Sequence, residues 1–302
     1  MQDMMNLMLT MFVLMAVGLV VRKLNIVGKE GQKNLTDLVI DLVLPCNIIK
    51  SFMIEFSWDT MKTFGIVLII SVCIQFVCVI SGKLLYRGIP EKQQKCLQYG
   101  TICSNAGFLG NPLAEGIYGS TGLSYASIYL IPQRIMMWSA GISIFTESPS
   151  KKELVKKVLT HPCIVACIIG VILMVTGLPL PGFLVTSISA ISSCNTALSM
   201  MIIGMILAQV NYRKLLNWKV LYYTVIRLAV LPFLVYLPLH LLHTDTIVTG
   251  LCVILCAMPA GATTSILASK YDGDAEFATS MVVFSTLASL VSTPIWSLVI
   301  HA

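Results

Sequence analysis

Two apolar stretches of this chain, one in each half, carry the same spaced residues: Ala106-Gly107-x5-Leu113-Ala114-x4-Gly119 and Ala260-Gly261-x5-Leu267-Ala268-x4-Gly273. Each copy sets helix breakers near the middle of an otherwise membrane-spanning segment. In the first these are Asn105, Gly107, Gly110 and Pro112; in the second, Pro259 and Gly261. An unpaired backbone group in hydrocarbon costs several kcal/mol, so interrupted helix is tolerated there only where protein buries it or where it lines a polar cavity. Broken helices at matching places in two halves point to a transporter with its substrate site at the breaks.

Composition supports a membrane setting. With 57% hydrophobic and 11% charged residues in 302, and a mean hydropathy of +0.86, the chain cannot hide its apolar surface in a water-soluble globule. The first apolar run, Met4 to Val21, lacks a small-residue cleavage site before Arg22 and reads as a retained span. The ten cysteines are scattered through apolar stretches, which argues against a disulfide framework. Cys163/Cys167 and Cys252/Cys256 share helix faces, but no His or carboxylate joins them within a span, so packing rather than metal is expected. No cofactor is implied.

Hydropathy draws ten spans, roughly 4 to 21, 35 to 53, 63 to 82, 96 to 117, 123 to 145, 162 to 178, 183 to 208, 219 to 241, 247 to 269 and 275 to 300. The odd connections hold Arg22, Lys23, Lys29 and Lys33; Lys83, Arg87, Lys92 and Lys95; Lys151, Lys152, Lys156 and Lys157; Arg213, Lys214 and Lys219; and Lys270. On the other side stand only Lys50 and Lys62. Positive charge stays in the cytoplasm, so both termini are expected outside it, in a cytoplasmic membrane. The same asymmetry accounts for the net charge of +6 without nucleic acid, whose binding would need a soluble basic face.

The expected fold is therefore an all-α polytopic membrane protein: two inverted five-helix repeats, residues 1–145 and 162–302, joined by a basic cytoplasmic connection at 146–161. An odd number of spans per half obliges the second half to enter the membrane upside down. From Asn105 onward the halves align at an offset of about 154 residues, and Cys46-Asn47 echoes Cys194-Asn195 at about 148.

Asn111 before Pro112 fits an N-cap followed by a proline at the first helical position, so a half-helix is expected to start there. Thr263, Thr264 and Ser265 occupy the equivalent place after Pro259 and Gly261. Free N–H groups and the positive dipole ends of two such half-helices would suit a carboxylate. Asn105, Asn111, Pro259, Thr263, Thr264 and Ser265 are candidate substrate contacts; capping of kinked backbone is the alternative for each.

Ionisable groups inside spans are costly and invite a functional reading. Arg134, beside Gln133 in span five, could pair bidentately with a substrate carboxylate. It could equally form a salt bridge to Asp37 or Asp41, four apart on span two, and those aspartates are also candidates to carry a coupling proton. Arg227 reads as structural or snorkelling toward the cytoplasmic interface. Glu115 reads as a dipole partner of its half-helix. Asn47 and Asn195 either face the site or hydrogen-bond between helices.

The stretch Asn105-Ala-Gly-Phe-Leu-Gly-Asn-Pro-Leu113, with Ala257-Met-Pro-Ala-Gly-Ala-Thr-Thr-Ser-Ile-Leu-Ala268 and Lys270-Tyr-Asp-Gly-Asp274, resembles bacterial, malate permease-like members of the auxin efflux carrier family, within the bile acid/sodium symporter-like superfamily. The resemblance implies a scaffold of spans one, two, six and seven, a transport domain of the other six, and a substrate site where broken helices four and nine cross. It also implies a homodimer and an elevator or rocking movement. The basic connection is short beside that of plant members, so no large regulatory loop is expected, and auxin is a poor candidate substrate.

The expected function is secondary transport of a small organic anion, with H+ or Na+ as possible coupling ion and the lipid bilayer as surroundings. A ligand sensor of the same fold without transport is the alternative. Enzymatic readings fare worse. Tyr271-Asp272-Gly273-Asp274 superficially suggests an intramembrane aspartyl protease, but both acids lie in a turn rather than converging from membrane helices.

Overall fold

The computed structural model describes residues 2–145, 150–208, 217–271 and 273–301. Arg213, Lys214, Asp272 and the segment 146–149 of the basic connection lie outside the described residues. Regular structure in the described residues is helical. In chain order the helices are α1 (Gln2–Lys23), α2 (Lys29–Leu38), α3 (Leu44–Ser51), α4 (Trp58–Leu85), α5 (Glu91–Ile102), α6 (Asn111–Met136), α7 (Ile142–Phe145), α8 (Lys151–Leu159), α9 (Pro162–Thr176) and α10 (Gly182–Leu207). Then follow α11 (Trp218–Val225), α12 (Leu231–Leu241), α13 (Thr246–Cys256), α14 (Thr263–Lys270) and α15 (Ala275–His301). Among the described residues α4, α10, Trp218–Leu241 and Ala275–Ile300 are each long and apolar enough to cross a membrane, and α9 and α13 are shorter apolar helices.

Prolines shape the irregular places. Three of the π-turns, Val39–Val43, Ala106–Gly110 and Ile226–Val230, each end two residues before a proline: Pro45, Pro112 and Pro232. A proline gives no N–H to the carbonyl four residues back, and its ring pushes that carbonyl away, so the preceding turn widens. The carbonyl that Pro232 leaves without its helical donor belongs to Leu228, and the Trp296 indole N–H donates to it at 2.7 Å.

Packing divides the chain into two units that interleave the sequence halves. The first comprises 1–65, 111–128 and 159–209. Within it α1 lies along α10, and α3 packs against α9 and α10. The α1–α10 contact is made backbone to backbone. A Cβ on Gly18 would strike the Met201 carbonyl oxygen, and one on Gly204 the Met15 carbonyl oxygen. Small residues at such contacts let membrane helices approach closely enough for dispersion to hold them, because lipid supplies no hydrophobic drive between helices. In α6, Gly119 (φ 65°) turns the chain where a helix could not continue, which explains the last glycine of the first repeated signature.

The second unit comprises 66–110, 129–158 and 210–302. Its long helix α15 touches α5, α11, α13 and α14. Gly273, the last glycine of the second signature, sits where a Cβ would come within 2.9 Å of Ala268 Cα. Its N–H bonds to the Ala268 carbonyl at 2.8 Å and ends α14.

Candidate functional site

Both breaks lie in the second unit, where they meet. After α5 the chain leaves helical geometry at Cys103, and after α13 it does so around Met258 to Ala260. Ser104 and Ala260 pair as an isolated antiparallel bridge. The Asn105 N–H donates to the Pro259 carbonyl at 2.8 Å, and the Gly261 N–H to the Cys103 carbonyl at 3.1 Å. Asn105 and Pro259 are the positions that the repeat offset of about 154 equates. Each break thus satisfies backbone groups that the other leaves open, which a low-dielectric setting requires. A further donor, the Ala260 N–H, goes to Ser285 Oγ on α15 at 3.2 Å. Gly261 suits the close approach, since a Cβ there would sit tightly at 3.1 Å from Cys103 O and 3.3 Å from Ser104 O, whereas its counterpart Gly107 has open space.

The first new half-helix begins earlier than the sequence indicates. The Asn105 carbonyl accepts from Leu109 at 3.0 Å and from Gly110 at 3.4 Å, so helical winding resumes at Ala106. Asn111 is therefore already inside the winding; it makes no side-chain cap, and Gly110 precedes it in right-handed helical geometry. The expected N-cap is corrected to Asn105, because the π-turn ahead of Pro112 extends the helix backward. The second half-helix, α14, starts at Thr263 as expected. Ser265 Oγ donates to the Ala262 carbonyl at 2.9 Å, and Thr264 is fully buried with no hydrogen-bond partner for its hydroxyl among the described residues.

Gln133 is locked to the crossing in both directions. Its amide nitrogen donates to the Ser104 carbonyl at 2.8 Å, and Ser104 Oγ donates to its amide oxygen at 3.2 Å. The next residue, Arg134, is 7% exposed, and its Nη1 is buried without a hydrogen-bond partner among the described residues. A guanidinium in that condition is a donor held ready for an acceptor.

Of the two readings of Arg227, the structure favours the structural one over snorkelling. The side chain does not reach for the interface. Carried inward by the π-turn Ile226–Val230, it is 3% exposed; its Nε donates to the Met258 carbonyl at 2.9 Å and its Nη1 to the Thr101 carbonyl at 3.1 Å. Those carbonyls lie at the C-terminal ends of α13 and α5, where the helix dipole is negative. The signal available in the sequence was an arginine five residues before Pro232 inside an apolar run.

The remaining candidates lie in the first unit. Asn47 Nδ2 donates to Ser192 Oγ at 2.9 Å and to Glu115 Oε2 at 3.1 Å. Asn195 Nδ2 donates to Asn47 Oδ1 at 3.3 Å, and Ser199 Oγ to Asn195 Oδ1 at 3.2 Å. Asn47 and Asn195 are thus tied to each other, and Glu115 is an acceptor in that network rather than a dipole partner at a helix start. Asn111 is fully buried with neither amide heteroatom partnered among the described residues. Asp37 and Asp41 are exposed. Of the acids in the turn at 271–274, Asp274 caps α15 through the Phe277 N–H at 2.9 Å and accepts from Gln93 at 2.9 Å.

Residues 3–297 match the family model described as membrane transport protein. The chain belongs to the membrane transport protein family. Across 97% of both chains it is 28% identical to an uncharacterized transporter of Methanothermobacter thermautotrophicus. It is 23% identical to the uncharacterized transporter MJ1031 of Methanocaldococcus jannaschii over 97% of each, and 23% identical to the uncharacterized transporter YfdV of Escherichia coli K12 over 96% of this chain and 95% of the relative. This member of the membrane transport protein family is a multi-pass transporter and not an enzyme. The match spans both broken helices.

Proposed function

We propose that this transporter carries small organic anions, carboxylates foremost, across the cytoplasmic membrane by elevator-like alternating access, with the anion held at the crossing of the two broken helices. The observation that carries this reading is Arg134: a buried guanidinium with an unpartnered Nη1, one residue from the glutamine that clamps the crossing. A carboxylate would supply the missing acceptor in bidentate form. Thr264, with its buried and unpartnered hydroxyl, adds a donor, and the positive dipole ends of the half-helices add charge of the same sign. The bacterial malate permease-like resemblance points to the same substrate class, and a homodimer with both termini outside the cytoplasm completes the reading. Asp37 and Asp41 remain candidates for a coupling proton.

The test is a thermal-shift screen of the purified protein over mono- and dicarboxylates, since a ligand that binds the folded state raises its stability by mass action. For the best ligand, Arg134→Lys keeps the charge and loses the fork, so it weakens binding. Arg134→Gln removes a charged hydrogen-bonding partner worth about 1.5 to 3 kcal/mol, a loss of roughly ten- to 150-fold. A folded Arg134→Gln protein that binds a carboxylate with wild-type affinity would remove the arginine from the site.

A further inference from the structure

We infer that Arg227 is a built-in substitute for a coupling cation at the helix breaks, so that the crossing works without a sodium ion or other alkali cation on those carbonyls. The inference goes beyond the anion reading and holds whichever substrate is carried.

Breaking a helix inside a membrane leaves carbonyl oxygens at the end of its first half, and in transporters these unwound carbonyls and negative dipole ends are what coordinate a coupling Na+. In this chain such carbonyls from both breaks are already committed. Thr101 O lies in the last turn of α5 and Met258 O just past α13, and one guanidinium bonds both, at 3.1 and 2.9 Å. The two helix ends carry together about one negative charge by the dipole count, and one arginine supplies one positive charge. The cation cannot dissociate, because it is covalently part of the π-turn Ile226–Val230, and it cannot lose its proton under ordinary conditions. Its Nη1 also lies 3.8 Å from Cys78 Sγ. The contrast with Arg134 is chemical: one arginine is spent on protein acceptors, and the other has a donor without one.

The experiment compares melting temperatures of purified protein in sodium, potassium and choline chloride at equal ionic strength. Wild type should melt at the same temperature in all three. Arg227→Ala should melt several degrees lower in choline, with part of the loss recovered, saturably, in sodium or potassium, because the freed carbonyls can then take a small cation. Arg227→Lys has one nitrogen where two different ones now serve the two carbonyls, so it should melt between the two and respond weakly. Saturable stabilisation of wild type by sodium over choline overturns the inference. So does a folded Arg227→Ala protein that melts like wild type or ignores the cation. Should Arg227→Ala yield no folded protein, wild type and Arg227→Lys decide: a lysine variant that melts like wild type, or shows no cation response, overturns it as well. None of these readings uses the organic substrate, so failure here leaves the anion proposal standing, and the reverse holds.

Discussion

Removing one hydroxyl from α15 tests whether the crossing holds its backbone in place. Ser285 is fully buried; its Oγ accepts from the Ala260 N–H at 3.2 Å and donates to the Val282 carbonyl at 3.1 Å. Ser285→Ala creates almost no cavity, so its cost is that of a buried amide left without an acceptor, about 1 to 3 kcal/mol. With a shift of about 2 to 4 °C per kcal/mol for a chain of this order of size, a loss near ~2 kcal/mol lowers the melting temperature by roughly 4 to 8 °C. The matched control is Ser289→Ala on the same helix. That hydroxyl donates to the Thr286 carbonyl of its own turn, at 2.7 Å, so its removal strands no donor and should cost clearly less than the loss at Ser285. Both variants are melted side by side in the same detergent. If Ser285→Ala is no more damaging than Ser289→Ala, the Ala260 amide finds another acceptor at no cost, and the crossing is not the closed hydrogen-bonded unit described above.

Two further outcomes are expected. Gly204→Val should destabilise the α1–α10 contact by roughly 2 kcal/mol or more, since its side chain meets the Met15 backbone rather than a movable side-chain end; wild-type melting would show that the helices separate freely. Single cysteines at the exposed positions Ser120 and Pro181 should label from outside the cell and one at Ser150 only from the cytoplasm, and the reverse pattern would overturn the charge-based orientation.

Legibility in the sequence followed the range of the interactions involved. Breaker residues act locally, so the second break at Pro259 and Gly261 and the start of α14 at Thr263 appear where the sequence puts them. The first break also lies at Asn105 as its breakers indicate, but the half-helix after it starts there rather than at Asn111, because a π-turn, which has no sequence signature beyond a following proline, winds the intervening residues. Arg134 and Gln133 stood out as polar residues inside an apolar run, but only the structure separates the glutamine that grips Ser104 from the arginine left unpartnered. Arg227 carries the same kind of signal, but the sequence leaves a structural role and snorkelling both open, since its two acceptors lie 126 and 31 residues away. Gly18 and Gly204 were silent for the same reason: a glycine in a long apolar helix looks like a weak point until the helix packed against it is known.

The proposed anion reading also rests on the balance of charge at the crossing. The negative ends of α5 and α13 are neutralised by Arg227. The positive ends, at Ala106 and Thr263, count together as about one positive charge, and Arg134 adds another. The carboxylates that this unit offers among its described residues are engaged or placed elsewhere. Glu91 bonds Lys95 at 2.8 Å, which holds its carboxyl below the usual range; Asp245 caps α13; Asp274 caps α15; Glu153 and Glu276 lie in the first turns of α8 and α15. Uncompensated positive charge in a medium of low dielectric is expensive, by several kcal/mol per ion even after relaxation. On the proposed anion reading, the arginine with the unpartnered Nη1 and the arginine with two acceptors favour the same ligand sign: one would supply the attraction, and the other removes the negative helix ends that would have opposed it.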